Sequence, residues 1–134
     1  MSMKSTFVLF LLLFSFSSNA CKCVFYTDEE KFDNAIEVLH VLITSTELLE
    51  NSEHPFEEVK ASYKILERFK GSDNNPNFAL HGLGNCSIGF MSGHEYILYI
   101  SRTRQAIKCT GSSYFLNNPK GKNTLSVLRS KSAT

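Results

Sequence analysis

The apolar positions of this chain recur mostly with a period of two. Between Phe56 and Phe69, Val59, Ala61, Tyr63 and Ile65 alternate with Lys60, Ser62 and Lys64. That is the pattern of a strand with one face inward. Leu66 and Phe69 break the alternation and predict a bulge or bend. Upstream, Ile36–Thr46 is rich in β-branched residues and reads as a long strand. Residues 47–56 are acidic, contain Pro55 and read as an exposed connector. Phe78–Leu80 is a short third strand after the turn signal Ser72-Asp73-Asn74-Asn75-Pro76. Glu95–Ser101 is the fourth; its two apolar faces predict a central position. Gln105–Cys109 reads as the fifth. Helical signals are few. Thr27 and Glu30 have capping-box spacing and predict a short helix over Asp28–Asn34. Ser112–Leu116 reads as one helical turn. Residues 117–134 hold Pro119, Gly121 and few large apolar residues, and read as a loose polar tail. Five strands with long, bent early members suit an all-β, OB-fold-like five-stranded barrel with short flanking helices.

Residues 1–20 stand apart. Lys4 precedes an apolar run, Phe7–Phe16, and Ser18 and Ala20 make the small-x-small pattern of a secretory signal peptide. The run is too short for a membrane span. Cleavage after Ala20 would leave one domain, 21–116, followed by the tail 117–134. Overall charge is near balance, with 14 Lys and Arg against 13 Asp and Glu. The acids cluster before Pro76; beyond it Glu95 is the single acid, while Lys120, Lys122, Arg129 and Lys131 give the tail a basic character. This points to acidic matrix polysaccharide as a possible partner. The basic residues are too dilute for nucleic acid. A monomer is expected.

All four cysteines, Cys21, Cys23, Cys86 and Cys109, follow the leader. An even count in a secreted domain implies two disulfides. One intervening residue makes Cys21–Cys23 a strained ring, so both pair with Cys86 and Cys109, in either order. The spacing lacks the C-x₂-C knuckles of a zinc site. His40, His54, His81 and His94 form no metal-binding or catalytic motif, and Gly84–Gly89 is neither a phosphate loop nor a nucleophile elbow. No enzymatic activity and no resident cofactor are expected. Asn85-Cys86-Ser87 is formally a glycosylation sequon.

A mature chain beginning Cys21-Lys22-Cys23 has distinctive chemistry at its terminus. An α-amine and the carbonyl oxygen of the same residue can close a five-membered chelate on a zinc ion that has an open position. The amine must be neutral, and its ordinary pKa of about 7.7–8.0 allows this. Disulfides on both sides of Lys22 would pre-order the segment and limit the entropic cost of binding.

The features Cys-x-Cys-Val at 21–24, the short helix, the strand ending Phe69-Lys70-Gly71, the glycine-flanked Cys86, Glu95–Tyr99 and Cys109 with Gly111 together resemble the netrin-like domain of the tissue inhibitors of metalloproteinases. The resemblance runs from Cys21 to about Leu116. It implies an OB-like barrel and the pairing Cys21–Cys86 and Cys23–Cys109. It also implies a secreted inhibitor of zinc metalloproteinases, with Cys21 on the protease's catalytic zinc. Lys22, Val24, Asn85 and Ser87 would be contacts beside Cys21, Cys23 and Cys86. In this family the residue between the first two cysteines enters the protease's specificity pocket. Lys22 there implies an acidic or open pocket, because burying an unpaired ammonium is costly. The alternative is a non-inhibitory extracellular binding module on the same scaffold. Phe25 and Tyr26 replace prolines usual in the family, and its third disulfide is absent.

Overall fold

A computed structural model describes residues 21–50, 58–84 and 86–134. Its centre is a five-stranded antiparallel sheet: β1 Glu37–Leu49, β2 Glu58–Lys70, β3 Phe78–Gly82, β4 Glu95–Ile100 and β5 Ser113–Tyr114, in the spatial order β3-β2-β1-β4-β5. Two helices flank it, α1 Asp28–Asn34 and α2 Pro119–Ser132. In α1 the Thr27 hydroxyl accepts from Glu30 N, and the Glu30 carboxylate accepts from Thr27 N, so the capping box forms in full.

β1 is the central strand, and β4 lies beside it. In both, successive side chains point to opposite faces, and both faces are covered over Glu37–Ile43 of β1 and Tyr96–Ile100 of β4. Leu39, Val41 and Ile43 join Tyr96, Leu98 and Ile100 in one core with Ala61, Tyr63, Ala79 and Phe90. Val38 joins Ile97 and Tyr99 in a second core with Ala35, Phe69, Phe115 and Leu128. The continuous apolar run of β4 thus reflects burial on two sides. The β1–β2 pairing slips three times. The unpaired residues on β2 are Phe69 and Leu66, where the sequence alternation breaks, and Thr44 is the one on β1. Each bulge sharpens the local twist and curls the long hairpin. At the far edge, Leu80 of β3 makes a parallel bridge to Gln105. Leu80 N donates to Arg104 O at 2.8 Å, and Ala106 N to Leu80 O at 3.0 Å.

Three expectations are corrected. Gln105–Cys109 is not a strand. The chain reverses at Ser101–Arg104, with Arg104 in the left-handed region at φ 64°, then touches β3 at Gln105 and enters a 3-10 turn, Lys108–Thr110. The fifth strand is instead Ser113–Tyr114, where a helical turn is expected from sequence. The tail is no loose segment either, because α2 occupies most of it. Asn118 caps α2 by accepting from Gly121 N at 2.9 Å, and Pro119 stands in the first turn. Gly121 is buried, and a Cβ there would run into the Leu116 carbonyl. Leu128 enters the second core with Leu125 beside it. Arg129 holds Glu67 of β2 through two bonds, Nε–Oε1 at 2.7 Å and Nη2–Oε2 at 2.8 Å.

The first residue of β1 is a buried acid. Glu37 is 1% exposed. Its Oε2 accepts from Arg68 Nη1 at 2.6 Å, and its Oε1 accepts from Arg104 Nη1. Arg104 Nη2 also donates to Tyr63 Oη at 2.9 Å, Pro76 O at 2.6 Å and Phe78 O at 2.7 Å. One carboxylate therefore joins β1, β2, the turn before β3 and the turn after β4. Burial pushes the Tyr63 phenol up to about 12 against the pull of Arg104.

Removing the Glu37 carboxylate leaves two largely buried guanidiniums without their anion. Glu37→Ala is expected to cost about 3–5 kcal/mol in a urea titration. The Arg129 hydrogen bonds hold the Glu67 carboxyl below its usual range. The stability they confer is present above the unfolded carboxyl value, about 4.3, and is lost as pH falls through the lower folded value. Arg129→Ala is expected to flatten that part of the acid unfolding curve.

Candidate functional site: a disulfide-held N-terminal strip

Residues 21–27 have no regular secondary structure. Among the described residues, none exchanges a backbone–backbone hydrogen bond with Cys21–Tyr26. The segment is fastened covalently instead. Cys21 pairs with Cys86 and Cys23 with Cys109, with Cα atoms 5.2 and 5.1 Å apart. This is the pairing the resemblance implies. The bridges span 65 and 86 residues, and by loop entropy each contributes about 4 kcal/mol.

Both anchors sit in short loops of defined geometry. Cys86 lies in the loop after β3, where Ser87 N donates to Gly84 O at 3.0 Å. Cys109 is in the 3-10 turn, closed by Thr110 Oγ1 donating to Ile107 O at 3.0 Å. Lys108 N donates to Cys86 O at 3.2 Å and binds the two loops to each other. Gly111 ends the turn at φ 108°, with its Cα against the Tyr99 ring. A side chain there would be strained and would press on the ring.

What the strip presents is mainly apolar. Val24 is 68% exposed and Phe25 fully exposed. Lys22 and Cys23 are also exposed, and Leu83, in the Cys86 loop, is another large exposed apolar residue. The structure thus brings together Cys21, Lys22, Cys23, Val24, Cys86 and Ser87. Asn85 lies outside the described residues, as do residues 1–20, so the cleavage position and the sequon asparagine do too. Beside the strip, a cleft of about 330 Å³ opens between α1 and the end of β4, lined by Tyr26, Lys31, Asn34, Tyr99 and Thr110 among others. Burial raises the Tyr99 phenol above its usual range.

Two features of the structure escape a reading of the sequence. One is the exposure of Phe25, which by composition alone is a core residue. The other is a hydrogen bond between His40 Nε2 and Glu95 Oε2 at 2.6 Å, with the His40 ring 4.4 Å from Phe115. Glu95 reads as a surface residue in sequence. The antiparallel register, which pairs His40 with Ile97 and Leu42 with Glu95, is what makes it reachable. His81 is buried; its Nδ1 bonds Gly82 O at 2.9 Å, and its Nε2 has no partner among the described residues. No helix among the described residues is long and apolar enough to cross a membrane.

No family model matches this chain, and no curated protein matches it.

With Cys23→Ser and Cys109→Ser together, the strip loses one of its two anchors. Stability is expected to fall by about 4 kcal/mol, and trypsin is expected to cut after Lys22 faster than in the parent protein. Denaturant titration and timed digestion followed by mass spectrometry check the two outcomes.

Proposed function

We propose that this chain is a secreted inhibitor of zinc metalloendopeptidases, built on a netrin-like barrel and acting through its N-terminal strip. The observation that carries the reading is the double covalent anchoring of a Cys-Lys-Cys-Val-Phe segment, exposed from Lys22 to Phe25, that makes no backbone–backbone hydrogen bond among the described residues. A segment held this way keeps its backbone edges free for a partner and loses little entropy on binding. The curled β1–β2 hairpin and the Leu80–Gln105 bridge support closure of the sheet into an OB-like barrel. The apolar leader and the two disulfides support secretion.

Signal cleavage after Ala20 gives Cys21 a free α-amine. The amine and the Cys21 carbonyl chelate the protease's zinc in place of its water. Lys22 enters the pocket next to the scissile position, while Val24 and the Cys86 loop, with Asn85 and Ser87, lie along the flanking subsites. Lys22 selects a target with a carboxylate in that pocket, or with a pocket long enough to let the ammonium reach water. Exposed Lys120 and Lys122, with the half-buried Lys131, on α2 support a second contact with acidic matrix polysaccharide.

The charge on Lys22 also favours a second reading, a non-inhibitory extracellular binding module. The two separate cleanly. Protein starting at Cys21 is expected to inhibit at least one secreted zinc endopeptidase in a panel, and an added alanine before Cys21 is expected to abolish that inhibition. Equal potency with and without the added residue sinks the chelation mechanism. Absence of inhibition across the panel at micromolar protein, with the Cys21 terminus verified by mass, selects the binding module.

A further inference from the structure

The two disulfides are not merely close in sequence at one end. They are packed sulfur against sulfur. Cys21 Sγ lies 3.3 Å from Cys109 Sγ and 3.7 Å from Cys23 Sγ, and Cys109 Sγ lies 3.9 Å from Cys86 Sγ. The sulfurs of Cys21, Cys23 and Cys109 all fall within 4.8 Å of one another. A zinc ion bound by four thiolates at about 2.3 Å in a tetrahedron sets its sulfurs about 3.8 Å apart. Three of the four non-bonded separations, at 3.3, 3.7 and 3.9 Å, already bracket that value. The two bonded pairs must open from the roughly 2 Å of a disulfide, and Cys86, which falls outside the group formed by the other three sulfurs, must move toward Cys23.

The geometry points to a second, reduced form of this clamp, in which Cys21, Cys23, Cys86 and Cys109 hold one zinc ion in place of two disulfides. The site differs from the proposed inhibitory chemistry, in which the zinc belongs to the protease and the Cys21 amine is the ligand, and it does not depend on that reading. The spacing of the cysteines in the chain hides it, since no C-x₂-C knuckle is present; the fold assembles the four sulfurs from three separate segments.

Those segments can yield by the small amount required. None of the four cysteines lies in a strand. Gly84 and Gly89 flank Cys86, and Gly111 follows Cys109, so the backbone can adjust without moving the sheet. The charge also fits. Four thiolates on Zn²⁺ carry a net charge of −2, and the exposed cations Lys22 and Lys108 are adjacent in sequence to three of the ligands. Soft thiolate donors in a tetrahedral set favour zinc over calcium or magnesium.

The conversion balances with a dithiol reductant. Each disulfide accepts two electrons and two protons from one dithiol, which becomes a cyclic disulfide. The Cys21–Cys86 and Cys23–Cys109 bonds break, and four thiols form. Binding of Zn²⁺ then releases their four protons. Oxidation runs the other way and expels the metal. The strip is therefore fastened in both redox states, by covalent bonds in one and by the metal in the other.

The test uses the chain from Cys21 to Thr134, reduced anaerobically and freed of reductant, with Co²⁺ and Zn²⁺ as probes. One Co²⁺ per chain is expected, with the sulfur-to-metal charge-transfer absorption and the intense visible bands of a tetrahedral thiolate site. One equivalent of Zn²⁺ is expected to bleach them, and oxidised protein is expected to bind neither ion. Reduced Cys86→Ser is expected to bind Co²⁺ at least tenfold more weakly, with a shifted spectrum. Zn²⁺ is also expected to raise the Tm of the reduced parent, or to restore its β-sheet circular dichroism if reduction alone unfolds it. A reduced protein that stays folded yet takes up no cobalt overturns the proposal. So does an octahedral cobalt spectrum, or a reduced and unfolded chain that zinc fails to refold.

Discussion

The Glu37 carboxylate is the constraint on which the rest of the sheet depends. A charge with 1% exposure is tolerable only when its oxygens are fully engaged, and both are, by guanidiniums from different parts of the chain. Arg68 comes from the paired strand β2 and Arg104 from the reversal after β4. Arg104 directs its remaining donors to Tyr63, to the Pro76 carbonyl before β3 and to the Phe78 carbonyl at the start of β3. Its left-handed backbone costs about 1–2 kcal/mol, which these bonds offset. A hydrophobic residue at position 37 would bury as well, yet it could not specify where the two turns go. The acid therefore fixes geometry more than it adds stability. Gly71 belongs to the same constraint: a Cβ there would sit 2.7 Å from Glu37 Cγ.

From that fixed end the sheet divides the molecule into two cores. One is filled by alternate residues of β1 and β4, with Phe90 and Tyr96 edge-to-face at 5.2 Å. The other takes Val38, Phe69, Ile97 and Tyr99 from the sheet and is completed by Ala35 after α1, Phe115 and Leu128 of α2. Phe32 extends it, with the ammonium groups of Lys70 and Lys131 over its ring at 5.6 and 5.8 Å. Helix α2 is thus part of the domain, and the domain does not end at Leu116. The basic side chains that the sequence places on a tail are carried on an ordered surface.

Much of this is legible in the residues, and the failures have physical reasons. Alternation at Val59–Ile65 and its breaks at Leu66 and Phe69 locate β2 and two bulges, because burial on one face leaves that trace. The α1 capping box is equally local. Helix α2 escapes notice because its apolar face is short, Leu125 and Leu128, and because Pro119 and Gly121 read as breakers. In place they act as a first-turn residue and a close-contact residue. The fifth strand is misplaced because Ala106 and Ile107 look like strand residues, while the left-handed Arg104 that turns the chain has no sequence signature. Glu37 is invisible as a core residue for the same reason that it matters: its partners are 31 and 67 positions away. At the candidate site, four cysteines announce two bridges, but the residues alone leave their order open. That the bridges touch is a property of the fold.

Among the described residues the strip has no backbone hydrogen-bond ladder, so its two bridges govern the order in which the molecule is made. Cys21 and Cys23 leave the ribosome first among the described residues, yet nothing nearby can hold them. Their partners are 65 and 86 residues downstream, on loops that have shape only once β3 and β4 have paired. Cys21 must wait, unpaired and open to wrong oxidation, until synthesis has passed Cys86, and Cys23 until it has passed Cys109. The disulfide-held strip is therefore the last part of the molecule to be finished.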